Sequence, residues 1–218
     1  MTRPDLSVYA LVDPQHDGGR ELPALAALLA QNGATLIQLR DKVSSTRVMI
    51  DSARAIKAAL KGSGVALLIN DRVDVAAAAA ADGVHVGQDD MAAADARRLL
   101  GANAIIGLSV KTPEQAAAAP LDLLNYVAIG GVFATSSKDN RDPPVGLDGL
   151  RRIAGIVRSR QPGYPVCAIA GIDAGNAAGV VAAGADGVAM ISALSLAADP
   201  AAATRALRAV VDEARARR

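Results

Sequence analysis

The chain has one cysteine, no tryptophan, and aromatic side chains at only 2% of its 218 positions. A single thiol, Cys167, excludes an intrachain disulfide and therefore a small fold stapled by cross-links. Its flanks, Pro165-Val166 and Ala168-Ile169, read as a buried strand. The thiol is expected to pack as a small apolar group and not to serve as a nucleophile. With so few rings, a core must be assembled from Ala, Val, Leu and Ile, and a hydrophobic content of 51% is enough to do so. An excess of charge is also missing: 23 basic and 22 acidic residues leave a formal net charge of +1. That balance offers no general attraction to nucleic acid or to an anionic membrane, so any anion must be held by a local site. Long apolar runs are absent too. The longest, Val73 to Ala81, carries Asp74 and is too short to span a bilayer. The first residues, Met1 to Asp5, lack the apolar stretch of a signal peptide, and the expected location is the cytoplasm.

What is present is a regular alternation. Short apolar runs fall at Ser7–Val12, Thr35–Leu39, Ala66–Ile69, Gly83–Val86, Ala104–Leu108, Leu124–Ile129, Val166–Ala170 and Gly187–Met190. Most are continuous runs of the kind found in parallel strands buried on both faces. Between them lie helical patterns rich in Ala, Leu and Arg, roughly Glu21–Gln31, Ser45–Lys61, Asp71–Ala80, Met91–Leu100, Pro113–Ala118, Leu147–Ser159, Ala174–Ala182 and Pro200–Ala216. Capping chemistry opens several of them: Asp89 or Asp90 before Met91, Thr112-Pro113 and Asp199-Pro200. Eight strand–helix units in one stretch of 218 residues predict a single α/β domain closed as a (β/α)8 TIM barrel. A long polar segment, residues 130–146, follows the sixth strand and reads as an active-site loop.

In such a barrel the site is built from residues just after each strand. After the second strand, Gln38, Arg40 and Lys42 share one side by period-two alternation, so an amide and two cations converge on the barrel mouth. They call for an anion or for neighbouring acids. After the third and fourth strands stand Asn70-Asp71 and Gln88-Asp89-Asp90. Two carboxylates at one rim suit a Mg²⁺ that bridges phosphate oxygens, although each acid could instead cap the helix that follows. Ser109 and Lys111 follow the fifth strand, and Thr135-Ser136-Ser137-Lys138 lies in the long loop. Hydroxyls beside a lysine serve phosphate, and they are also ordinary loop composition. Gly171 after the seventh strand and Ile191-Ser192 after the eighth occupy the loops that frequently bind phosphate in these barrels. His85 reads as a rim or core histidine, and His16 carries no specific signal. Ala185-Asp186-Gly187-Val188 echoes Ala81-Asp82-Gly83-Val84, which speaks to the fold and not to a function.

Taken together these segments give the chain a family likeness. The pieces are Gln38-Leu39-Arg40-Asp41-Lys42, Ile69-Asn70-Asp71, the run from Gly83 to Asp90, Gly107-Leu108-Ser109, Thr135-Ser136-Ser137-Lys138, Gly171-Ile172 and the run from Gly184 to Ser192. In order and spacing, from about Tyr9 to Asp199, the chain resembles the thiamine phosphate synthases. The resemblance implies condensation of 4-amino-2-methyl-5-(diphosphomethyl)pyrimidine with 4-methyl-5-(2-phosphoethyl)thiazole, or its carboxylate form, releasing diphosphate. It implies that Gln38, Arg40, Lys42 and Asn70, within the segment that includes Leu39 and Asp41, hold the pyrimidine diphosphate. By the same resemblance Asp71 and Asp90 would hold one Mg²⁺. It further implies that Ser109 would contact the pyrimidine and Lys138 the diphosphate, with Arg40, Lys42 and Lys138 easing departure of the leaving group. On the same resemblance Thr135, Ser137, Gly171, Ile191 and Ser192 would cradle the thiazole phosphate, with Ser136 also among the substrate-binding residues. Closure of the long loop would keep water from the cation. The chain departs from the family pattern at Lys111, Ala134, Ser137 and Ala170, where the family often has histidine, proline, threonine and glycine. The implied partners are these small molecules, with no nucleic acid and no membrane; a homo-oligomer is left open. A thiazole tautomerase of the same superfamily would need neither the Asp71/Asp90 pair nor the Gln38–Arg40–Lys42 set. A sugar-phosphate isomerase or lyase barrel would call for an acid–base pair or a Schiff-base lysine inside the barrel, and none is evident.

Overall fold

A computed structural model describes residues 3–135 and 143–218. Eight parallel strands close in chain order, β8 returning to pair with β1. They are β1 (Val8–Val12), β2 (Leu36–Leu39), β3 (Ala66–Asn70), β4 (Gly83–Val86), β5 (Ile105–Val110), β6 (Tyr126–Ile129), β7 (Val166–Ile169) and β8 (Gly187–Met190). The helices around them are α1 (Leu22–Gln31), α2 (Thr46–Ala59), α3 (Val73–Ala78), α4 (Ala93–Leu100), α5 (Pro113–Ala118), α6 (Gly146–Arg160), α7 (Ala177–Ala182), α8 (Ser192–Ser195) and α9 (Pro200–Ala216). The (β/α)8 barrel expected from the alternation is the architecture found.

Period-two alternation divides the core into two layers. Along β1, Val8, Ala10 and Val12 face the helices, and Tyr9 and Leu11 join Leu36, Leu68, Tyr126, Ala128, Cys167 and Ala189 inside the barrel. Each fully buried Leu or Ile adds roughly 2 kcal/mol of apolar burial, which lets an aliphatic chain do without tryptophan. Cys167 is fully buried in the inner layer, and burial pushes its thiol up from the ordinary range, so it stays protonated.

The repeated Asp-Gly-Val has a structural cause. Asp82 accepts the Leu67 N–H at 2.8 Å, and Asp186 accepts the Val166 N–H at 2.9 Å. Thr35 and Asn125 play the same part for Val8 and Ile106, at 3.1 and 2.9 Å. A side chain just before each even strand thus clips the start of the odd strand beside it. A Cβ on Gly83 would stand 1.8 Å from the Ile105 carbonyl oxygen, and one on Gly187 1.7 Å from that of Leu6. Only glycine admits the next strand so closely.

Helix starts differ from expectation in an informative way. Thr112 and Asp199 cap α5 and α9 as read from the sequence. Asp89 and Asp90 cap nothing: α4 starts after Ala92, with no side-chain cap. Asp71 is no cap either, because α3 starts after Arg72. The short α8, directly after β8, was not anticipated.

Candidate active site

A cavity of about 560 Å³ opens at the C-terminal ends of the strands. Gln38, Arg40 and Lys42 enter it from β2 and the residues beyond, on the side that alternation assigns to them. Leu39 and Asp41 take the opposite parity and do not line the cavity. Leu39 packs in the outer core, and Asp41 accepts the Val43 and Ser44 N–H groups at 3.0 and 2.9 Å, closing the turn into α2. Arg40 is paired with Asp13, a fully buried carboxylate one residue past β1. Asp13 also stands 3.6 Å from His16. The strand-end rule that locates the other residues also finds Asp13, through its place after the apolar run of β1 and before Pro14.

Next to Arg40 and Lys42, at the ends of β3 and β4, stands the acidic rim. Asp71 has φ 60°, a left-handed conformation that aspartate tolerates better than most residues. Its N–H donates to the His85 carbonyl at 2.8 Å, which locks the turn after β3. Lys42 is its ion-pair partner. Asp90 accepts the Gly87 N–H at 2.7 Å. Burial above all, then the Asp71 carboxyl beside it, pushes the Asp90 carboxyl up from its usual range, against the pull of the Gly87 N–H and of Lys42. Neither acid caps a helix, and together they form one carboxylate rim beside Lys42. Among the described residues no cluster of three or more His, Cys, Asp or Glu could hold a metal. Magnesium needs no such cage: one or two carboxylates suffice when phosphate oxygens and waters complete the shell. The donor set therefore fits.

Ser109 lies in β5 and lines the cavity with Asn70, His85, Gln88 and Lys111. Lys111 stretches along Gly131, where a Cβ would stand 2.9 Å from its Cε. On the far side Thr135, Gly171, Ile191 and Ser192 meet at the ends of β6, β7 and β8. Gly171 is obligatory, since a Cβ there would lie 2.4 Å from the Ala134 carbonyl oxygen and φ is +65°. The base of the long loop is pinned: Val145 and Gly146 donate to the Gly131 and Val132 carbonyls at 2.8 and 3.0 Å. Phe133 donates to Ala170 at 3.1 Å. Ser136, Ser137 and Lys138 lie outside the described residues.

A family model described as thiamine monophosphate synthase matches residues 8–194, which takes in all eight strands and the whole cavity. The chain belongs to the thiamine monophosphate synthase family. It is 52% identical to a thiamine-phosphate synthase of Agrobacterium fabrum, covering 98% of this chain and 97% of that one. It is 43% identical to one of Moorella thermoacetica, covering 97% and 99%. A solved thiamine phosphate pyrophosphorylase from Pyrococcus furiosus superposes with a TM-score of 0.83 at 34% identity, covering 97% and 98% of the two chains. As a member of this family the chain is a transferase of thiamine biosynthesis.

The departure at Ala170 has a visible consequence. Its φ is 94°, a region where an L side chain is strained. Ala170→Gly is expected to stabilise the fold by about 1 kcal/mol by relieving that strain. Urea unfolding of both proteins checks this, and a lower midpoint for the variant would contradict it.

Proposed function

We propose that this synthase joins the pyrimidine diphosphate to the thiazole phosphate inside the one cavity, with the diphosphate over the Arg40–Lys42–Asn70 side and the thiazole phosphate over Gly171 and Ser192. The observation that carries the reading is the acidic pair Asp71/Asp90 beside Lys42 and Arg40 in a cavity whose other wall is made by the β7 and β8 ends. The electron-rich aminopyrimidine lets its methylene carbon lose diphosphate, the C–O bonding pair leaving with the oxygen. The thiazole nitrogen then supplies the pair for the new C–N bond. Such a step needs no nucleophile or strong base from the protein. It needs charge neutralised at the leaving group and water kept from the carbon.

Arg40 and Lys42 place positive charge against the departing oxygens, and the resemblance adds Lys138. Asp71 and Asp90 would hold Mg²⁺, which when bound supplies Lewis-acid stabilisation of the diphosphate. Ala128, Ile169 and Ala189 give the cavity an apolar floor that suits two flat heterocycles. Gly171, Ile191 and Ser192 occupy the strand-7 and strand-8 positions where barrels of this kind frequently bind phosphate, next to the short helix α8.

Growth tests the function. The gene should restore thiamine-independent growth to a strain lacking thiamine-phosphate synthase, and the Asp90→Asn form should not. No rescue by a well-expressed wild-type chain would overturn the reading. Ser192→Ala tests the division of the cavity. It is expected to raise the Michaelis constant for the thiazole phosphate about tenfold and that for the pyrimidine diphosphate little, since one lost hydrogen bond to a charged group is worth about 1.5 kcal/mol. Equal rises in both constants would show that the two anions do not have separate seats.

A further inference from the structure

The cavity wall divides unevenly by charge. The part built by β2, β3 and β4 carries Arg40 and Lys42 together with Asp71, Asp89 and Asp90. Along the part built by β5 to β8, Lys111 is the one charged side chain among the described residues that line the cavity. The rest of that wall is apolar groups, glycines, hydroxyls and the Gln115 amide. Yet the proposed function sends a phosphate monoester there, and such a group carries about 1.5 to 2 negative charges near pH 7. Neutral donors alone match such an anion poorly once it leaves water, and a cation makes the stronger, charge-assisted hydrogen bond. The reaction as described so far gives Lys111 no part.

The fold holds Lys111 at both of its ends. Gln115 Oε1 accepts the Lys111 N–H at 2.6 Å and the Thr112 N–H at 3.3 Å. The capping box that starts α5 therefore also fixes the backbone from which the lysine departs. Its side chain then lies over Gly131, two residues beyond β6. A Cβ on Gly131 would stand 2.9 Å from Cε, 3.4 Å from Nζ and 3.7 Å from Cδ, so the glycine is a bed for the stem. That bed puts the ammonium at one end of a particular wall. From Gly131 the chain runs along the end of β7, Val132 donating to Ile169 at 3.2 Å and Phe133 to Ala170 at 3.1 Å. It continues to Thr135 and brings the Ala134 carbonyl up against Gly171. Arg40 and Lys42 follow β2, which stands four strands from β6 in a closed ring of eight and so on the opposite side of the mouth.

We propose that Lys111 is a substrate-binding residue that supplies the positive charge for the thiazole phosphate, while Arg40 and Lys42 serve the diphosphate. This deepens the proposed function and rests on its placing the thiazole phosphate at the β7 and β8 ends. Each anion then meets its own cation, and the two substrates are kept from exchanging seats by where those cations are anchored.

Two variants separate the charge from the stem. Lys111→Met keeps a straight chain over Gly131 without the ammonium, and Lys111→Arg keeps a positive charge. Titration calorimetry with the thiazole phosphate alone reads its affinity without turnover. Lys111→Met is expected to weaken that affinity about tenfold or more, as for a lost hydrogen bond to a charged group, and Lys111→Arg to recover most of the loss. In steady-state kinetics Lys111→Met should raise the Michaelis constant for the thiazole phosphate by a similar factor and that for the pyrimidine diphosphate little. Equal binding of thiazole phosphate by Lys111→Met and the wild type overturns the proposal. So does a loss that falls mainly on the pyrimidine diphosphate, which would assign Lys111 to the leaving group. So does a loss that Lys111→Arg shares in full, which would make the stem responsible and not the charge. A protein that binds thiazole phosphate through Lys111 and makes no thiamine phosphate would sink the proposed function and leave this assignment standing. One that binds no thiazole phosphate at all sinks both.

Discussion

Asp90→Asn is expected to lower turnover about a hundredfold or more, and Asp71→Asn to do the same, with the fold kept in both variants. Each substitution removes one hard oxygen charge from the proposed Mg²⁺ pair, and among the described residues no group of three or more possible ligands could hold the ion instead. The asparagine at position 90 can still accept the Gly87 N–H, so the loop after β4 stays in place. The loss falls on stabilisation of the leaving group and therefore on turnover more than on binding. Asp71→Asn also deprives Lys42 of its ion-pair partner, so its effect on the Michaelis constant for the diphosphate should be the larger of the two. Steady-state kinetics at saturating Mg²⁺ and in EDTA check this. Activity unchanged in both variants, or indifferent to EDTA, would remove the metal from the account.

Asp13→Ala is expected to destabilise the protein by about 3 kcal/mol and to depress catalytic efficiency as well. Asp13 is fully buried, and the Arg40 side chain that it holds is only 13% exposed. Removing one partner of such a pair leaves an uncompensated charge behind, and this costs more than the pair contributes when intact. The freed Arg40 also loses the contact that holds it at the cavity, on the side proposed for the diphosphate. His16→Ala, by contrast, should change stability little, because His16 stands 3.6 Å from Asp13 and part of its side chain meets solvent. Denaturant unfolding of the two variants, with kinetics on each, separates these effects. An Asp13→Ala protein as stable as the wild type would mean that Arg40 finds another anion.

The barrel was legible because its signal is periodic. Eight apolar runs and the positions just beyond them located the strands, and parity alone put Gln38, Arg40 and Lys42 together at the mouth. Parity also excludes Leu39 and Asp41 from the cavity; they entered the sequence reading only as members of a contiguous segment. The capping alternative for Asp71 and Asp90 could not be dismissed from sequence, because an acid before a helix reads the same whether or not the helix begins one or two residues later. What stayed hidden depends on contacts between distant strands. Nothing local marks Tyr9, His85 and Tyr126 as hydrogen-bonded neighbours inside the barrel, since they come from β1, β4 and β6. Gly107 looked like part of a motif, and only the Tyr126 ring standing over it gives the reason for glycine there.

The central claim is that one cavity carries out the complete condensation. The direct measurement is ³¹P NMR of the purified protein with the pyrimidine diphosphate, the thiazole phosphate and Mg²⁺. The account predicts free diphosphate and thiamine phosphate appearing in equal amounts, and neither appearing when the thiazole phosphate or the Mg²⁺ is withheld. Diphosphate released without thiamine phosphate would mean that the cavity lets water reach the carbon. Thiazole phosphate altered without any pyrimidine partner would mean an isomerase, and either result would contradict the account.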